Sequence, residues 1–396
     1  MNQGQRSDHG VGRLFESKPR TYPAKISGYV LKLARESVAM TQEELACSLQ
    51  VDPHTIHSWE TGRRALTATN TGNFIRLQHK LATLGIRPLL LGSLWIALEA
   101  DHVFDHVLGT DDDTQRAGEH PFGACLMPSS LSEMIAWPLT GAVPSHLKQV
   151  ITQSRRGPVA THPSLPPLDR QRFFDRLRID ADRALPLRDQ DRHHAVLGHQ
   201  ACFRVAWDMS PATQQWLDEV WRREVRSRGF DHWSPTWLAV RSLAIARARR
   251  GDAESLSDFV AAGHSSDVCE TANLNYWAYW AGELPAIQTS NEFMMNARLL
   301  HSWTGVKVLP RLAEALDVEN SDFVLNLHST AVLIKRPVTA DILDSEPELY
   351  ASLRAKLEAA HDRRAGLSPA ASRELADVLK ALRRISPSMR PTTGRC

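Results

Sequence analysis

The chain has 396 residues, 42% of them hydrophobic and 23% charged, which is ordinary globular material able to bury a sizeable core in two or three domains. Its net charge of +2 names no polyanionic partner by itself, but residues 1–87 carry 12 Lys/Arg against 7 Asp/Glu, so a basic head precedes a slightly acidic body. The five cysteines, Cys47, Cys125, Cys202, Cys269 and Cys396, form no CxxC pair, which argues against a disulfide framework or zinc site and fits a reducing cytoplasm.

Residues 1–22 are polar, without the apolar core of a signal peptide, and are expected to form a flexible arm. Residues 23–87 are predicted to be a compact helical domain. Its centre is the run TQEELACSLQVDPHTIHSWETGRR, residues 41–64. Thr41 and Glu44 have the spacing of a capping box at a helix start. Leu45, Ala46 and Leu49 are expected to face inward, with a turn at Leu49, Gln50 and Val51. Asp52 is placed to cap the next helix and Pro53 takes its first position. Ile56 and Trp59, three apart, form the expected buried face, leaving His54, Thr55, His57 and Ser58 outward as donors and acceptors for base edges. Gly62 is predicted to end the helix, and Arg63 and Arg64 follow where they can meet phosphates.

These residues resemble the phage-repressor-like (Xre-type) helix-turn-helix family, whose motif has TQ, then LA, a turn, an isoleucine and aromatic, and E-x-G with a basic residue. The resemblance implies a five-helix DNA-binding domain over about residues 26–85. It also implies that Gln42 contacts the DNA backbone, that His54, Thr55, His57 and Ser58 lie on or beside base-reading positions, and that Arg35 and Glu60 form a structural ion pair. Two histidines and Pro53 depart from the family's usual base-reading residues, so no operator carries over.

Residues 88–168 are predicted to be a connecting region. It starts with an amphipathic helix over 87–108, bearing Leu90, Leu91, Leu94, Trp95, Leu98, Val103 and Val107 at near-helical spacing. A loop with the acids Asp111, Asp112 and Asp113 follows, read as solvated, and then a second loop with four prolines between residues 154 and 168. The longest apolar run, 88–98, is too short to span a bilayer.

From 169 to 396 helix follows helix, predicted at 169–183, 189–208, 211–229, 235–251, 252–262, 267–281, 291–300, 306–316, 322–333, 346–365 and 368–385. No strand pattern occurs. The expected fold class is all-α: the helix-turn-helix head, then a large helical domain resembling an irregular tetratricopeptide-like solenoid. Tyr276, Trp277, Tyr279 and Trp280 either line an aromatic pocket or pack between helices, the second fitting the spacing of the tryptophans. Asn273 and Asn275 serve either as helix-to-helix hydrogen-bonding groups or as ligand contacts. His193, His194 and His199, with Asp189 and Asp191, read as a solvated helix face in preference to a metal site. Together with SEMIAWPLTGAVP, residues 132–144, the segment around residue 277 resembles the long helical tails of actinobacterial Xre-type regulators.

No phosphate-binding loop, dinucleotide fingerprint, HExxH or GxSxG is present, so no enzyme activity, cofactor or metal is expected. The expectation is a cytoplasmic, nucleoid-associated transcriptional regulator that binds double-stranded DNA as a homodimer, its tail sensing a small protein partner or small-molecule ligand, with no membrane association. The alternative is a helical-solenoid adaptor with a vestigial or secondary DNA-binding head.

Overall fold

A computed structural model describes residues 24–109, 116–151, 162–228, 232–263 and 266–385. The described residues contain nineteen α-helices, several 3₁₀ turns and no strand, so the protein is all-α. The chain forms two compact units: Met1–Asp112 with Val143–Asp169, and Asp113–Ala142 with Arg170–Cys396. The aspartates 111–113 lie outside the described residues. No described helix is long and apolar enough to cross a membrane.

The first unit contains α1 (Lys25–Ser37), α2 (Gln42–Leu49), α3 (Pro53–Glu60), α4 (Thr71–Thr83) and α5 (Pro88–Gly109). α1 begins at Ala24, whose side chain offers no acceptor for the free N–H groups of the first turn. A residue of α5 supplies it: Asp101 Oδ1 accepts from Ile26 N at 3.1 Å and Oδ2 from Ser27 N at 3.0 Å. The fifth helix therefore belongs to the head although it lies beyond residue 87, where the sequence pattern ended the domain. Its buried face, including Leu94, Ala97, Phe104 and Val107, packs on α1. Trp95, counted with that apolar stripe, is instead 49% exposed and sets its ring edge-on to Phe74 of α4, 4.6 Å between centroids.

α1 crosses α3 at a glycine. A Cβ on Gly28 would lie 2.2 Å from the Trp59 carbonyl oxygen, so only glycine permits this approach. Ile56 and Trp59 are buried on the inner side of α3.

In the second unit the helices predicted from 169 onward appear with boundaries shifted by a few residues, with one exception. Residues predicted as a helix over 291–300 form two 3₁₀ turns, Glu292–Met295 and Ala297–His301. The side chain of Asn296 accepts from Arg298 N at 3.1 Å, which restarts the chain between them. Three helices of this unit are additional to the predicted set, Pro121–Ala124, Ser129–Thr140 and Pro337–Ser345. The helix Arg192–Val205 packs on Pro235–Ala248, and Phe323–Ile334 packs on Pro369–Arg384.

Residues 117–128, assigned from composition to a loop, are held inside this unit. Gln200 Nε2 donates to the Phe122 and Cys125 carbonyls at 2.8 Å each, and Gln200 Oε1 accepts from Met127 N at 3.1 Å. Phe122 and Leu126 are buried as a result. Three backbone groups in a short irregular stretch are thereby satisfied by one buried amide.

Candidate functional site

The helix-turn-helix is held by side chains close in sequence. Thr41 Oγ1 accepts from Glu44 N at 3.1 Å while Glu44 Oε2 accepts from Thr41 N at 2.7 Å, closing the capping box at the start of α2. Gln50 adopts a left-handed conformation, φ 56°, and turns the chain between α2 and α3. Asp52 Oδ1 accepts from His54 N at 2.7 Å and Pro53 opens α3. After α3, Gly62 has φ 74°, and a Cβ there would meet Ala24 backbone at 2.8 Å.

One ion-pair network fixes α3 against α1 and α2. Arg35 Nε donates to Glu60 Oε1 at 2.6 Å, and a second guanidinium nitrogen donates to Glu60 Oε2 at 3.0 Å. A third donates to the Met40 carbonyl at 2.6 Å. Burial works against the Arg35 charge, and hydrogen bonding to Glu60 with its negative field more than offsets this, so the pKa is raised. Gln42 Nε2 donates to Glu60 Oε2 at 2.7 Å. One of the two N–H groups of the Gln42 amide, which the family resemblance directs to the DNA backbone, is thus engaged within the protein.

The outward side of α3 bears His54 and His57, both exposed, with ring centroids 6.4 Å apart. Thr55 is half-buried. Ser58, placed outward by helical spacing, is buried at 8% exposure. The reason lies beyond the helix: the chain folds back after Gly62, and Arg64 N donates to the Ser58 carbonyl at 3.0 Å. That fold-back covers Ser58 and leaves the Arg63 and Arg64 side chains exposed.

A groove of about 960 Å³ lies beside α3 on the side of Thr55, lined by the α2–α3 turn, Thr55, Arg64 and the α4 residues Asn73, Arg76 and Lys80; His54, His57 and Arg63 do not line it. Arg76 and Lys80 are exposed and were not singled out from the sequence. Their spacing of four on one helix was the available signal, since such residues share a face. The groove's one acidic lining residue, Asp52, is engaged in the α3 cap.

The second unit holds a smaller cavity of about 260 Å³. Tyr276, Trp277 and Trp280 line it with Phe203 from the helix Arg192–Val205. The Phe203 and Trp280 rings meet edge-on at 5.5 Å, and Tyr276 and Trp280 stack at 6.2 Å. Tyr276 is buried, whereas Trp277 and Trp280 are half-buried at the cavity wall. Asn273, grouped with them from the sequence, does not line the cavity: its Nδ2 donates to Ser329 Oγ at 2.9 Å. Asn275 is likewise structural, donating to the Met294 and Asn296 carbonyls and accepting from Trp303 Nε1. Tyr279 donates its hydroxyl to the Leu126 carbonyl at 2.6 Å.

The histidine cluster is not a solvated face. His199 is buried with its ring edge-on to Tyr276 at 5.6 Å, and burial, with the fields of Arg241 and Arg204, lowers its pKa to about 3. His193 Nδ1 lies 2.9 Å from the Gly123 carbonyl, and His194 Nδ1 lies 2.9 Å from Asp191 Oδ2. The helix Arg192–Val205 is central to its unit, which turns these side chains to separate protein partners. Among the described residues no group of three or more His, Cys, Asp or Glu side chains is placed to hold a metal ion.

No family model, curated protein or solved structure matches this chain.

Proposed function

We propose that the protein is a sequence-specific DNA-binding transcriptional regulator of the Xre type, with α3 entering the major groove. The observation that carries the proposal is the surface around α3. Two exposed histidines stand on the helix, exposed Arg63 follows it, and Arg64, Arg76 and Lys80 line the groove beside it, whose one acidic lining residue, Asp52, is engaged in the α3 cap. His54 and His57 would meet base edges, and the four cations would meet phosphates on either side. Ile56, Trp59 and the Arg35–Glu60–Gln42 network supply the rigidity that such docking requires.

An eight-residue helix reads only a few base pairs, so we propose a homodimer on two half-sites about one helical turn apart. The helical region beyond the head would serve dimerisation and the sensing of a ligand or small protein partner. The protein would work in the cytoplasm on the nucleoid.

Selection of random duplexes by the full chain, followed by mobility shift on the enriched sequences, tests this. Enrichment of a paired motif with steep salt dependence is expected. Binding without sequence enrichment would leave the head without a regulatory role and overturn the proposal.

A further inference from the structure

The 260 Å³ cavity is lined by a buried guanidinium that makes no ion-pair contact among the described residues. Arg241 is 4% exposed and lies in the helix Pro235–Ala248. Its Nε has no hydrogen-bond partner, and among the described residues its guanidinium makes no ion pair; it lies over the face of Tyr276, 5.0 Å from the ring centroid. Asp322, another lining residue, acts on it through space without pairing. A buried guanidinium lacking a bound counter-ion is a costly arrangement, and a cation–π contact recovers only part of that cost.

The other charges around the cavity largely cancel. Arg311 pairs with Glu133 at 3.3 Å and with Glu314 at 3.6 Å. The charged lining residues thus balance in number, Arg241, Arg249 and Arg311 against Glu133, Glu314 and Asp322, but both glutamates are drawn to Arg311, and among the described residues Arg241 has no carboxylate in contact. Arg249 lies over the Phe203 ring at 5.7 Å. Asn326, 1% exposed and also lining the cavity, has an amide nitrogen without a partner. Two lining residues, Arg241 and Asn326, therefore carry buried donor atoms without partners beside a wall formed by Phe203, Trp277 and Trp280.

We propose that this cavity binds a small organic anion with a flat apolar body, its carboxylate pairing with Arg241 and Asn326 and its body lying against the aromatic wall. The volume is just below the usual range for drug-sized ligands, about 300–1,000 Å³, which selects a one- or two-ring compound over a nucleotide. An aromatic cage for a cation is the competing chemistry, but Arg241 in the same wall opposes it. The proposal specifies the ligand-sensing part of the function above and does not depend on the DNA-binding part, so binding is measured without DNA.

The test titrates the full chain with phenylacetate and indole-3-acetate, and with phenylacetamide and phenethylamine as neutral and cationic counterparts, by calorimetry and tryptophan fluorescence. Saturable binding of a carboxylate is expected, at least about tenfold tighter than its counterparts, as one charge-assisted contact implies. Arg241→Met should weaken it by about tenfold or more while leaving the unliganded thermal midpoint unchanged or raised. Arg249→Gln, at a half-buried position, should weaken it less. Equal affinity for the amide or amine, no saturable binding of either carboxylate, or full affinity in both variants would overturn the proposal.

Discussion

Asp101 caps the first turn of a helix from far along the chain, its carboxylate accepting the N–H of Ile26, 75 residues earlier, at 3.1 Å. Ser27 N donates to the second oxygen, and both contacts are buried. Asp101→Ala should destabilise the head by about 1–3 kcal/mol, because two buried N–H groups lose their acceptor. Asp101→Asn keeps one amide oxygen and should lose less. Denaturant unfolding of the variants checks the order, and an unchanged midpoint in the alanine variant would refute the capping role.

Gly28 sets the distance between α1 and α3. Gly28→Ala places a methyl 2.2 Å from the Trp59 carbonyl oxygen and 2.9 Å from that of Glu60, so the helices must separate. The expected loss is about 1–3 kcal/mol, as for overpacking elsewhere. In a mobility shift the same variant should bind DNA more weakly even where it remains folded, since α3 moves with the separation. Native affinity with native stability would contradict this geometry.

Arg63, Arg64, Arg76 and Lys80 are predicted to contact phosphates. Each alanine variant should weaken binding across all duplex sequences alike and reduce the slope of log affinity against log salt by about one. His54→Ala or His57→Ala should instead alter the selected sequence. A salt titration of the Arg76→Ala/Lys80→Ala double variant decides whether the groove beside α4 belongs to the interface. An unchanged slope would remove it.

His199 links stability to pH. Unfolded, its imidazole takes up a proton near 6.5, whereas the folded protein keeps it neutral down to about 3. Below 6.5 the unfolded state therefore binds more protons. This group's contribution is complete above 6.5 and is lost as pH falls toward 3, with a slope of at most about 1.4 kcal/mol per pH unit. His199→Phe should flatten stability against pH in that window, measured by denaturant unfolding at several pH values. A parallel curve for the variant would contradict the assignment.

The parts of the molecule legible in the sequence are those whose partners are sequence neighbours. The Thr41–Glu44 box and the Asp52 cap each join residues two or three apart, and their residue types disclose them. Ser58 misleads because what covers it is the fold-back after Gly62, which helical periodicity does not contain. The Asp101 cap is invisible for a similar reason, since an aspartate within α5 gives no indication of which distant N–H it accepts. In the cavity the tryptophans are conspicuous by type, while Arg241 lies within WLAVRSLAIA, an apolar stretch whose pattern predicts only a helix. An arginine in such a run is itself a signal that a helix interior carries an unusual polar task.

The order in which the chain visits its two units bears on how the protein is made. It leaves the first unit after Asp112, returns at Val143 and leaves again after Asp169. Lys25 Nζ donates to the Ser164 carbonyl at 3.2 Å, so the returning segment touches the start of α1. On the ribosome, the N-terminal head therefore remains incomplete until residues well past its last helix have emerged. By then Asp113–Ala142 has been synthesised while most of its own unit is still missing. A nascent chain halted near residue 120 should expose an unfinished head to proteases, while one halted beyond residue 200 should protect it.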